Sequence, residues 1–101
     1  MPTPAEMIAA ECDALKALLL EKNRKYGNSA LEPRRIFSKA SAIEQICVRI
    51  DDKLSRIANG NGFLGDEDTT QDLLGYLILL RVARRLAESN QASNPLPPSQ
   101  P

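Results

Sequence analysis

Three apolar-periodic segments, each opened by a helix-capping signal and separated by glycine-containing breaks, predict an all-α fold. The expected architecture is a three-helix antiparallel bundle that oligomerises through its third, largely apolar helix. At 101 residues, 43% hydrophobic and 26% charged, the chain is sized for one globular domain. A domain this small buries only about 60 to 65% of its unfolded surface, which makes self-association a natural source of stability.

The first helix is expected from about residue 4 to Lys25. Thr3-Pro4-Ala5-Glu6 forms a capping box with proline at the first helical position, and Ile8, Cys12, Leu15 and Leu19 follow at helical spacing. Gly27 ends it. A second capping box, Ser41-Ala42-Ile43-Glu44, opens the stripe Ile43, Ile46, Cys47, Ile50, Leu54 and Ile57, which Asn59-Gly60-Asn61-Gly62 terminates. The third helix is expected to be capped by Asp66, with Glu67 and Asp68 complementing the positive end of its dipole, and to reach about Ser89. Between Leu73 and Leu86 its apolar residues wrap nearly the whole circumference, and a helix apolar on every side is buried on every side. Two partner helices cannot cover that surface, so a subunit interface is expected along it, with Gly75 permitting close backbone approach; the alternative is that the long connector folds over the open side.

The domain is expected to span residues 1–89, with 90–101 a disordered tail rich in Pro, Ser, Asn and Gln. The connector over residues 27 to 40 is longer than most helix–helix links. Leu31, Ile36 and Phe37 are expected to anchor it.

Composition excludes several chemistries. Thirteen basic and thirteen acidic side chains cancel, which argues against bulk binding to duplex DNA or an anionic membrane. No apolar run approaches the roughly 18 residues of a membrane span, and no cleavable leader is evident, so a cytoplasmic location is expected. Cys12 and Cys47 sit singly in helical patterns and are expected to be buried free thiols. With no histidine, Cys/His zinc sites and His general bases are absent, and any metal must be a hard ion held by oxygen.

Charge is concentrated on one connector. Residues 22 to 39 hold six Lys or Arg and a single acid, Glu32. Within it, Lys22, Asn23, Lys25, Tyr26 and Asn28 surround a glycine, a composition suited to cradling phosphate and stacking a base. The alternative is a solvated helix end, where cations suit the dipole. A second cluster, Arg49, Asp52, Lys53 and Arg56, follows i, i+3, i+4, i+7 spacing on one face of the second helix. Phosphate clamping competes there with local ion pairs worth a few tenths of a kcal/mol. Asp68 and Asp72, one turn apart with Tyr76 a turn beyond, can jointly hold Mg²⁺, although a helix N-terminus explains Asp68 as well.

Taken in order, Lys22-Asn23, Lys25-Tyr26-Gly27-Asn28-Ser29, the run Arg49 to Ile57, Glu67-Asp68 and Asp72-Leu73-Leu74-Gly75-Tyr76-Leu77 resemble the nucleotide modification associated domain family. Its members are small helical proteins found largely in bacteriophages. The resemblance covers about residues 15 to 86 and extends distantly to the all-α NTP pyrophosphatases of the MazG and dimeric dUTPase type. It implies an oligomeric helical bundle that binds a nucleotide. Those pyrophosphatases share a quartet of acids that holds Mg²⁺ against the triphosphate. In this chain Asp72 fits the last position, Thr69 stands where the third acid belongs, and no Glu-x-x-Glu pair exists. Nucleotide binding survives that comparison better than hydrolysis.

Two principal readings follow. The first is a non-catalytic binder that sequesters a small phosphorylated nucleotide, with a cyclic immune signal in the host cytoplasm as the anti-defence version. It needs no cofactor and assigns no catalytic residue. The second is a Mg²⁺-dependent pyrophosphatase or nucleotide-processing enzyme working through Asp68 and Asp72. A plain interaction module is the third reading, should the basic face merely pair with acids of a neighbouring subunit. The first is favoured because neutralising phosphate needs only cations and N–H donors, whereas hydrolysis also needs a positioned metal or base.

Overall fold

In the computed structural model, residues 1–33, 37–60 and 68–93 are described. They form three α-helices: α1 over Pro4–Tyr26, α2 over Ala42–Ala58 and α3 over Thr69–Ser93. Each start follows from a side-chain acceptor meeting an orphan helix N–H. Thr3 Oγ1 accepts from Glu6 N at 3.2 Å and Ser41 Oγ from Glu44 N at 3.1 Å, as the two capping boxes predict. α1 stops where Gly27 adopts φ 65°, a conformation that strains any residue with a Cβ.

The start of α3 differs from expectation. Asp68 is its cap, with Oδ1 accepting from Gln71 N at 2.8 Å, so the helix begins two residues later than a cap at Asp66 implies. Asp66 and Glu67 lie outside the described residues, as do Asn61 and Gly62. α3 also continues past Ser89 to Ser93, into the segment expected to be tail, and residues 94–101 lie outside the described residues.

α2 packs along α3, and α1 meets α3 alone. The core is correspondingly small: among the described residues, Ile46 of α2 and Ala83 of α3 are the buried apolar side chains, joined by Thr69 and Lys53. α1 contributes no buried residue. Large apolar side chains stay open on every helix, among them Met7, Ile8 and Leu20 of α1, Val48 and Leu54 of α2, and Leu74, Leu77, Ile78 and Leu86 of α3. Cys12 is exposed and Cys47 half-buried, so the expectation of two buried thiols fails for the first, because α1 has too few neighbours to cover it. In the connector, Leu31 is half-buried while Phe37 stands fully exposed and anchors nothing; Ile36 lies outside the described residues.

No helix among the described residues is long and apolar enough to cross a membrane.

Candidate functional site

Each helix sends side chains spaced i, i+4 to a common cleft. α1 supplies Lys22 and Tyr26 near its end, α2 supplies Arg49 and Lys53, and α3 supplies Asp72 and Tyr76. Residues four apart share a helix face, so three such faces converge on a cavity of about 420 Å³. The turn after α1 closes one side through Gly27, Asn28, Ser29, Ala30 and Leu31, and Leu18, Leu19 and Leu79 give an apolar floor.

The turn is held by Asn23. Its Nδ2 donates to Gly27 O at 3.2 Å and to Asn28 Oδ1 at 2.8 Å. Asn28 O in turn accepts from Leu31 N at 2.9 Å and Glu32 N at 2.7 Å. One side chain in the last turn of α1 therefore fixes the backbone that rims the cleft. Tyr26, 61% exposed, presents its ring there, and Lys25 Nζ lies 5.3 Å from the ring centroid on a cation–π contact.

Among the described residues, Lys53 is the most deeply placed charge. Only 7% of it is exposed, and its Nζ stands 3.3 Å from Asp72 Oδ2. Burial of an ammonium is tolerable when a carboxylate and further polar contacts receive it, and Lys53 makes more contacts than this one. Arg49, exposed, brings a second cation to the same wall.

The second basic cluster thus divides. Arg49 and Lys53 line the cleft, while Arg56 Nε and Asp52 Oδ2 pair at 3.3 Å outside its lining, both side chains about half exposed. Of the residues singled out from sequence, Lys22, Asn23, Tyr26, Asn28, Arg49, Lys53, Asp72 and Tyr76 come together. Lys25, Asp52, Arg56 and Asp68 are not in the lining. Arg24 is likewise engaged elsewhere: it is bonded to Glu21, and that contact holds the Glu21 carboxyl below its usual range and the guanidinium above its own.

The two acids proposed as a metal pair each have a protein partner, Asp68 the Gln71 amide and Asp72 the Lys53 ammonium. Among the described residues no group of three or more His, Cys, Asp or Glu is placed to hold a metal ion.

Sequence reasoning missed Gln71, which lines the cleft beside Asp72, and placed Gly75 at a subunit interface. Gly75 is buried inside the chain, and a Cβ built there would lie 3.3 Å from Leu19 Cδ2. Its lack of a side chain is what lets α1 approach α3 beside the cleft. The signal was present in the spacing, since Gly75 falls one turn after Gln71.

No family model, no curated protein and no solved structure matches the chain.

Proposed function

We propose that the cleft binds a small phosphorylated nucleotide and sequesters it without chemistry. The observation that carries this reading is the convergence of Lys22, Arg49 and Lys53 with Tyr26 and Tyr76 around one cavity. Cations neutralise phosphate through charge-assisted hydrogen bonds, and an exposed tyrosine ring offers a stacking surface to a base. A volume of about 420 Å³ lies in the lower part of the ~300–1,000 Å³ range of small-molecule sites. The motifs that resemble the nucleotide modification associated domain family contribute most of the polar lining of the cleft. In a phage setting the use of such a protein is anti-defence, withdrawing a cyclic nucleotide signal in the host cytoplasm.

The working unit of this proposal is a homo-oligomer of antiparallel bundles. Lys53, late in α2, pairs with Asp72, early in α3, as an antiparallel hairpin requires. The oligomer is supported by the small core and by the open apolar faces of α1 and α3.

The test is incubation of the full chain with mononucleotides, triphosphates and cyclic nucleotides, with Mg²⁺ or with EDTA, followed by calorimetry and product analysis. Saturable binding with superimposable curves and unaltered nucleotide is expected. Product released only with Mg²⁺ would replace sequestration by the pyrophosphatase reading. Absence of binding across the panel would leave the basic face to protein contacts.

A further inference from the structure

The cleft is basic in sum but not uniformly so. Its described lining holds three cations, Lys22, Arg49 and Lys53, and one acid, Asp72. The Asp72 side chain is 26% exposed while its Oδ2 is held by Lys53, so the carboxylate is fixed in place and still reachable from the cavity. At neutral pH an aspartate carboxylate accepts hydrogen bonds and donates none. Phosphate set against it would be repelled, so the part of a ligand resting there has to carry donors. A nucleotide has three parts, and the cleft offers a partner to each: cations for the phosphate, tyrosine rings for the base, and an acceptor for what joins them. The joining part is the sugar, and in the ribo series it presents a 2′-hydroxyl donor that the deoxy series lacks and that a 3′,5′-cyclic ribonucleotide keeps.

Resting on the nucleotide-binding reading above, we propose that Asp72 determines specificity by accepting a hydrogen bond from the ribose 2′-hydroxyl. The ligand class is then ribonucleotides, with phosphate at Lys22 and Arg49, in preference to their deoxyribo counterparts. A deoxy sugar leaves a desolvated carboxylate short of a donor, and hydrogen bonds to a charged partner carry a discrimination of about ten- to a hundredfold. The Lys53 contact contributes by fixing the carboxylate before the ligand arrives, so little ordering remains to oppose binding.

Calorimetric titration of the full chain with AMP, dAMP, UMP and dUMP tests this. The expected result is that each ribonucleotide binds about tenfold or more tighter than its deoxy partner, with either base. Asp72→Ala, checked for fold by circular dichroism, should bring that ratio close to one whatever it does to absolute affinity. Equal affinity of ribo and deoxy forms in the parent chain would overturn the proposal while leaving nucleotide binding intact, and needs no variant to fold. Preference for adenine over uracil with indifference to the sugar would assign Asp72 to an exocyclic amine and overturn it too. A ribo preference undiminished in folded Asp72→Ala would remove Asp72 from the role. Failure of all four nucleotides to bind would reject this inference together with the function on which it rests.

Discussion

Lys53 shows how one residue can serve both stability and the site. The residue is 7% exposed and its ammonium lies 3.3 Å from Asp72, so it ties α2 to α3 at the wall of the cleft. Removing one member of a buried pair leaves the other charge short of a partner, at a typical cost of about 3 to 5 kcal/mol when burial is complete. Asp72 keeps a quarter of its exposure, so Lys53→Ala should destabilise by about 2 kcal/mol, read as a lowered midpoint in urea unfolding. Arg49 and Arg56 should separate cleanly. Arg49→Ala should weaken nucleotide binding about tenfold or more, since one charge-assisted contact to phosphate is lost. Arg56→Ala should have a smaller effect, because Arg56 pairs with Asp52 outside the lining. Tyr26→Ala should cost about 1 to 3 kcal/mol of binding through lost base stacking. Spacing made the Arg49 to Arg56 cluster legible as a helical face. It did not reveal which members look toward α3, because that depends on the packing rotation of α2, and an isolated pattern of charges carries no such information.

Among the elements, α3 organises the molecule, since both other helices pack on it. Gly75 sets the approach of α1. A Cβ there would sit 3.3 Å from Leu19 Cδ2, the far end of a half-buried side chain that can swing aside. Gly75→Ala should therefore be close to neutral in stability, the helix-propensity gain of about 1 kcal/mol offsetting the tighter contact. Gly75→Leu cannot be absorbed that way; it should push α1 outward and weaken nucleotide binding even where circular dichroism shows the helices intact. At the start of α3, Asp68→Asn should leave thermal stability nearly unchanged, because Asn caps as well as Asp, whereas Asp68→Ala should cost about 1 kcal/mol. The capping boxes at Thr3 and Ser41 were readable because each offers one acceptor at one correct spacing. The acidic run at 66–68 offers more than one residue able to cap, and local sequence does not choose between them.

For the whole molecule, the radius of gyration is 17.2 Å, against about 13 Å for a compact chain of this length. The difference fits a chain whose first helix meets α3 alone, and sparingly, and whose described apolar faces remain open. Leu77, 41% exposed, belongs to that open surface. If a second copy covers it, Leu77→Asp should dissociate or unfold the protein, since an unpaired carboxylate buried against apolar surface costs several kcal/mol. Light scattering should return a mass well above 11.1 kDa for the parent and not for the variant. A parent that scatters as a single chain at micromolar concentration would contradict the oligomer.

Nucleotide binding by the cleft depends most directly on its affinity for phosphate. Titrating AMP into the parent chain and into Arg49→Ala, each at low and at high salt, measures it. Saturable binding by the parent that weakens as salt rises is expected, with about a tenfold loss and a shallower salt dependence in the variant. Parent and variant binding alike at both salt concentrations would contradict it.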